Sequence, residues 1–567
     1  MSRQYVQNAA AAVTYRRSRF DLSHGLKTSM NVGTLYPLDV TEVLPGDTFK
    51  MHTTQVCRVT SAFLRVPMDN LYMDVYYFFV PNRLVYDDWE NVMGNSSPNA
   101  WTDNELAEVP TLSNAVYIES GSVADYMGLP LGSIPKGINM LPFRGFALIY
   151  DEWFRNENTV PPMLIQKGAF NYSSEYINNE EWSPSNYVGK LPKVSKRKDY
   201  FTGALPAPQK GAPVDLPLGQ LSGVLPVIPQ PDVDNSAQMS LQNSLKFKDL
   251  SGTYSARRYL PLYTGDFASQ GLRLYGDASS ELTGLGIVHE FAPLNLAADL
   301  ASGTLIPGNI NDLRLAFQLQ KMLEKDARYG TRYREYLLGH FGVSNPDARM
   351  QIPEFLGGSR MPIRLQQVAQ TNTQQKDAEQ AIESPLASLG AMSHSVGQSR
   401  FTKSFTEHGF VFTVACIRQF HTYQQGINKM WFRSKREHYY DPLFANLGEQ
   451  PIYSAEIRVD SDVLNDLRAK TFGFREAWAD YRAKPSLITG EMRSGIENSL
   501  DVWNFADYYN TTPTLSQEFT DETPQFVDRT LAVPSTSQDQ FIVDFAFDLL
   551  AYRVMPVYST PGLIDHH

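Results

Sequence analysis

The hydrophobic pattern is clearest over residues 71–80, Leu-Tyr-Met-Asp-Val-Tyr-Tyr-Phe-Phe-Val. Pro67 lies just before the stretch and Pro81 ends it. β-Branched and aromatic residues dominate, so it predicts a strand bounded by turns. Leu71, Met73, Val75, Tyr77 and Phe79 share one face, while Tyr72, Asp74, Tyr76, Phe78 and Val80 share the other. Both faces are largely apolar. Both should therefore be covered, one by a facing sheet and one by another element or subunit.

Further strands are predicted at residues 49–59, 410–420, 452–458 and 540–550. In the last, Phe541, Val543, Phe545, Phe547 and Leu549 alternate with Asp544 and Asp548, the mark of a strand with one buried face. A helical period appears twice. Phe143, Phe146, Tyr150, Trp153 and Phe154 predict an amphipathic helix over 141–155. Leu313, Ala316, Phe317, Gln320, Leu323 and Ala327 predict another over 310–329. Residues 160–219 and 366–399 read as loops. Residues 216–305 are low in charge and broken by Pro and Gly, and they read as an insertion with a small β structure of its own. Strong strands near both ends, with helices and loops between, fit one β-sandwich or jelly roll whose connections have grown long.

Composition narrows the function. Aromatic content of 12%, with 35 Pro and 37 Gly, favours strands and loops over a helical bundle. Cys57 and Cys416 are the only cysteines, which gives no disulfide framework or zinc site and suits folding in a reducing compartment. No apolar run spans a bilayer, and the first residues lack the pattern of a signal peptide. The net charge of −11 argues against a chain that coats nucleic acid over its whole surface. A nucleic-acid contact must be local, and residues 1–27 are the candidate arm. They carry Arg3, Arg16, Arg17, Arg19 and Lys27 against the single carboxylate Asp21. Tyr5 and Tyr15 could stack on unpaired bases beside these charges; a plain solvated tail is the equal alternative.

Enzyme signatures are missing. There is no phosphate-binding Gly-rich loop with its Lys, no paired zinc histidines around His289 and no nucleophile elbow. Asp232-Val233-Asp234-Asn235-Ser236 starts like a calcium loop, but Ala237 stands where Gly is needed. The basic run 193–198 reads as a solvated loop. His408, His421 and His438 read as hydrogen-bonded or surface histidines. Trp431, Arg433, Arg436 and Tyr439 interleave cations with aromatics. That pattern suits nucleic acid or a subunit interface, and the interface is the preferred reading.

Many short segments, in order, resemble one family. They include Arg17-Ser18-Arg19-Phe20-Asp21-Leu22-Ser23-His24-Gly25, Glu42-Val43-Leu44-Pro45-Gly46-Asp47-Thr48-Phe49 and Phe78-Phe79-Val80-Pro81-Asn82-Arg83. Others are Glu152-Trp153-Phe154-Arg155, Pro208-Gln209-Lys210-Gly211, Glu354-Phe355-Leu356-Gly357-Gly358, Thr422-Tyr423-Gln424-Gln425-Gly426 and Pro561-Gly562-Leu563-Ile564-Asp565-His566. The chain resembles the major capsid proteins of the gokushovirus-like Microviridae, small single-stranded-DNA phages. The resemblance implies a mainly β, eight-stranded viral jelly roll with long loop insertions and a few helices. It also implies a subunit of a T=1 icosahedral shell around circular single-stranded DNA, assembled in the host cytoplasm, with no catalytic residue and no cofactor. Expected partners are other copies of the chain, the DNA, minor virion proteins and a host receptor.

The expected layout is an arm over 1–27, a jelly-roll core over 28–219 and 306–567, and a protruding insertion over 220–305. The match is poor in the insertion. There Tyr254, Tyr259, Tyr263, Phe267 and Tyr275 are candidates for gripping a receptor; the alternative, favoured for most of them singly, is that they form the module's own small core or pack three copies together at a threefold axis. The rival class is a glycan-binding or glycan-cleaving β-sandwich, which as an enzyme would need a cleft with paired carboxylates.

Overall fold

The structure is a computed structural model. It describes residues 16–94, 107–112, 116–169, 180–215, 310–330, 332–369, 389–461 and 466–558, together with short backbone strands within 219–307. Contacts divide the chain into two units: residues 1–210 with 323–567, and Gly211–Met322.

Eight strands build the core of the larger unit. They are β1 (His24–Met30), β2 (Tyr36–Val43), β3 (Thr48–Val59), β4 (Leu71–Pro81), β5 (Glu354–Ile363), β6 (Ser395–Ser404), β7 (Gly409–Gln419) and β8 (Phe541–Arg553). Two antiparallel sheets result, in the orders β1-β8-β3-β6 and β5-β4-β7-β2. A short strand, Ser18–Asp21, extends the first sheet by pairing with the end of β8. First pairs with last, second with seventh, third with sixth and fourth with fifth. This is a long hairpin of paired strands wrapped on itself, the expected jelly roll.

β4 behaves as its pattern predicts. Leu71, Met73, Val75, Tyr77 and Phe79 face the first sheet and pack with Phe49, Met51, Phe541, Phe545 and Phe547. The other face is covered by an element of the same chain, α1 (Leu141–Ile149). Phe78 and Val80 meet Phe143, Phe146 and Ile149 there, alongside Phe412 and Val414 of β7. α1 is not amphipathic as expected, because every residue from Phe143 to Ile149 is buried. Its one charged residue, Arg144, lies inside and donates to the carbonyls of Val85 and Gly168, each at 3.0 Å. At Gly145 the helix comes so near β7 that a Cβ would sit 2.8 Å from the Phe412 ring. After Ile149 the helix loosens into a π turn over Tyr150–Phe154.

Three further expectations are corrected. Residues 366–399 contain strands Leu365–Ala369 and Leu389–Ser393, which pair with each other, and the start of β6. β6 buries Ser395, Ser399 and Phe401, so small hydroxyl residues stand where apolar ones mark a strand. Ser399 is hydrogen-bonded to the Tyr77 hydroxyl across the core. The expected strand over 452–458 ends early: Glu449–Tyr453 is extended, and Ser454–Glu456 turns into a 3-10 helix. The expected arm over 1–27 is in sheet from Ser18 on, because Phe20 and Leu26 turn inward and their backbones complete the edge of β8.

The helix α2 (Ile310–Tyr329) runs over the predicted residues. Ala316 and Ala327 are buried, whereas Phe317 is more than half exposed. Within the smaller unit, Gly219–Ser222 pairs with Thr304–Pro307 and Val227–Pro229 with Leu296–Ala298, so incoming and outgoing chains run as successive antiparallel ladders. Beyond them lies a five-stranded sheet in the order Ser280–Glu281, Arg273–Gly276, Leu260–Tyr263, Lys246–Asp249, Phe291–Pro293.

Candidate assembly and nucleic-acid surfaces

The two sheets differ in what covers their outer faces. The outer face of the second lies under α1 and its neighbours. The first sheet has the alternation of a half-exposed antiparallel sheet, with β8 buried at Phe541, Val543, Phe545, Phe547 and Leu549 and exposed at the residues between. Its open face carries the cations Arg19, Lys27, Lys50, Arg58 and Arg400 against the carboxylates Asp21, Asp544 and Asp548. Cations thus outnumber carboxylates there, in a chain of net −11.

Several of these cations have local partners. Lys27 stands opposite Asp544 in the β1·β8 register. Lys50 lies over the Tyr552 ring at 5.4 Å. His52 is 3.5 Å from Asp548. At the sheet edge His24 stacks on Phe547 and contacts Asp39 at 3.4 Å, and the hydrogen bond to Asp39 raises its imidazole to about 9. Of the proposed arm cations, Arg16 and Arg17 are exposed just before the first strand, Arg19 lies opposite Tyr552, and Arg3 lies outside the described residues.

The proposed interface residues separate into two kinds. Trp431 is 71% exposed and Tyr439 54% exposed, and Arg436 is exposed as well. Leu443, at 89%, and Met430, Tyr440 and Leu447 extend this apolar surface. Arg433 is different. Its guanidinium is paired with Asp480, donates to the His438 carbonyl at 3.1 Å and lies 4.2 Å from the Tyr481 ring centre. It braces its own subunit and offers little to a neighbour. In the insertion, Tyr263 pairs with Arg273 and Tyr275 with Glu281 through the backbone. Tyr254, Tyr259 and Phe267 lie outside the described residues.

The pattern gave no sign of a buried polar knot behind the loops. His421, just after β7, is held between Asp507 at 2.7 Å and Glu522 at 3.1 Å. Lys196 reaches Asp507 at 3.2 Å, and the Tyr509 hydroxyl donates to the same carboxylate at 2.6 Å. Burial alone would lower the His421 imidazole, but the two carboxylates outweigh it and raise it to about 10. Burial pushes the Asp507 carboxyl up, and His421 with Lys196 reverses that and holds it below the usual range. Of the basic run 193–198, Lys193 and Lys198 are exposed as a solvated loop predicts, but Lys196 is drawn into this knot. Lys196 is buried among the Phe519, Tyr509 and Phe526 rings, and Arg197 lies over Phe420 and Tyr72. Loops from three parts of the chain meet there, with each charge answered by its opposite.

These features describe a structural subunit: a jelly roll with one covered sheet, one open charged sheet and apolar loop surface to spare. The chain belongs to the capsid protein (F protein) family, whose profile matches residues 9–563. It is similar to capsid protein VP1 of Chlamydia phage 1, at 38% identity over 97% of this chain and 96% of the relative. Capsid protein VP1 of Spiroplasma virus 4 is 38% identical over 96% and 95% of the two chains. For capsid protein VP1 of Bdellovibrio phage phiMH2K the identity is 34%, with the same shares covered. The Microviridae-type resemblance read from the short segments thus holds across the chain. The family and these relatives are capsid proteins, so the chain is a virion component and not an enzyme.

Proposed function

We propose that the chain assembles with copies of itself into a T=1 icosahedral shell that encloses circular single-stranded DNA. Assembly takes place in the host cytoplasm, with minor virion proteins as further partners. The open face of the first sheet, continuous with the arm that carries Arg3, Arg16 and Arg17, faces the DNA. The insertion over 220–305 stands out from the shell and contacts a host receptor through Tyr254, Tyr259, Tyr263, Phe267 and Tyr275. The exposed apolar surface around Trp431, Arg436, Tyr439 and Leu443 is buried by a neighbour, since patches of this kind mark association surfaces.

The observation that carries this reading is the unequal covering of the two sheets. The uncovered sheet is charged and wet, unsuited to an apolar partner but suited to hydrated phosphates. The test is scattering and electron microscopy of native material with nuclease digestion, comparing the unaltered chain with one whose Arg3, Arg16, Arg17 and Arg19 are all Ser. Closed particles holding nuclease-resistant single-stranded DNA are expected, with less DNA in the variant and a weaker dependence of retention on salt. A monomer as the sole native species would overturn assembly, and equal DNA retention at every salt concentration would overturn the arm's role.

A further inference from the structure

Beyond β8 the chain leaves its own subunit. Its last firm anchor is Arg553, which is 3.1 Å from Asp47, donates to the Glu42 carbonyl at 2.8 Å and lies over the Phe49 ring. Val554 still lies beside Gly46. From Met555 to Tyr558 every residue is exposed, Val557 by 57% and Tyr558 by 83%. None of these four forms a backbone hydrogen bond to the rest of the subunit among the described residues. The sequence from Val554 to Ile564 carries no charge and holds Met555, Val557, Tyr558, Leu563 and Ile564. A solvated tail is typically charged and poor in apolar groups, so this composition suits a segment that is covered by a partner. Extended, residues 554–564 would span roughly 35 Å, enough to cross to an adjoining subunit.

The surface around Leu443 is built to receive such a segment. Leu443 sits in a 3-10 turn, Pro442–Phe444, and Asp441 Oδ1 accepts its backbone N–H at 2.9 Å, which fixes the turn with the side chain in the open. Behind it the buried Trp478 holds a left-handed backbone conformation at φ 65°, and its indole N–H donates to the Phe444 carbonyl at 2.9 Å. A bulky residue is strained there, and such strain persists only where the surroundings fix one geometry. The Tyr440 and Tyr481 rings pack on the indole and remain about half exposed. Lys435 and Arg436 are exposed a few residues before Leu443, a charge match for Asp565, the first charged residue after Arg553. We infer that residues 555–564 of one copy dock on the Tyr440, Leu443 and Tyr481 surface of a neighbouring copy, so that exchanged tails tie the subunits together. Met and Tyr are enriched at the centres of such contacts, and exchange of an identical element is a low-cost route to association. The inference rests on the proposed assembly and names what covers this surface.

The experiment uses assembled full-length chains. Cys57 and Cys416 are buried, so introduced thiols can be addressed selectively. Particles are formed from a mixture of copies carrying Tyr558→Cys and copies carrying Leu443→Cys, then treated with a short bis-maleimide. A two-chain product joining the two positions, mapped by mass spectrometry, is expected. A chain ending at Val554 should melt as the full chain does, yet lose closed particles in electron microscopy; if it does not fold, the crosslink alone decides. A chain carrying both cysteines that links only within itself would place the tail on its own subunit and overturn the exchange. Absence of any link in assembled particles would put another occupant on the Leu443 surface and overturn the pairing. A folded chain ending at Val554 that assembles as the full chain does would overturn it as well. An unaltered chain that forms no particles at all would overturn the proposed assembly itself, and this inference with it.

Discussion

His421 shows how one residue can join distant parts of a chain. It follows β7, yet its two ring nitrogens meet carboxylates that lie 86 and 101 residues further on. Lys196, Tyr509, Tyr423, Asp69 and Arg529 are further titratable groups of the same knot. Its imidazole is raised to about 10 from the ordinary value near 6.5, so the folded state holds the proton more tightly. The stabilisation is full below the unfolded value and fades as pH rises toward 10. His421→Gln should therefore cost roughly 3–5 kcal/mol near pH 6, as expected when one partner of a buried pair is lost. The gap in melting temperature between the two proteins should narrow steadily in titration toward pH 10. A gap independent of pH would mean that the imidazole packs without its charge.

Among the elements, α1 shows what sequence pattern can and cannot say. The apolar spacing located the helix, and the two apolar faces of β4 called for a cover, which α1 provides. That Arg144 lies inside was not legible, because its partners are the carbonyls of Val85 and Gly168, invisible to any periodicity. β6 was hidden for a related reason: its inward Ser395 and Ser399 lack hydrophobic weight and are placed by hydrogen bonds across the core. The interface proposed from residue types rests on exposed Trp431, Arg436 and Tyr439, and the same types include Arg433, which Asp480 and Tyr481 keep within its own subunit. The close approach of α1 to β7 yields a prediction. Gly145→Ala should destabilise by about 1–3 kcal/mol through overpacking against Phe412. Phe412→Leu added to it should cost less than the two changes summed, as thermal denaturation of the four variants would show. Simple additivity would mean that helix and ring do not press on each other.

For the molecule as a whole, the ladders of the smaller unit define where it can be shortened. The pairs formed by Gly219–Ser222, Val227–Pro229 and Lys246–Asp249 hold the incoming and outgoing chains together before the stretch between Gly252 and Gly284 begins. Replacing that stretch with a Gly-Ser bridge removes Leu260–Tyr263, Arg273–Gly276 and Ser280–Glu281 and leaves those ladders in place. Particles should still form, as seen by electron microscopy, while attachment to host cells falls to background. Failure to assemble would make the insertion part of the shell lattice, and undiminished attachment would move the receptor site elsewhere.

The pairing of first strand with last also sets a clock. β8 is the middle partner of the first sheet, bonded on one side to β1 and on the other to β3, yet it is the last of the described strands to leave the ribosome. Until it arrives, β1 has no strand to join and the inner faces of β3 and β4 lack Phe541, Phe545 and Phe547. Contacts this distant in sequence form late and slowly, so the growing chain waits with its interior open. A polypeptide that stops short of Phe541 cannot close its barrel, and the order of synthesis thereby screens out incomplete subunits before they reach a lattice.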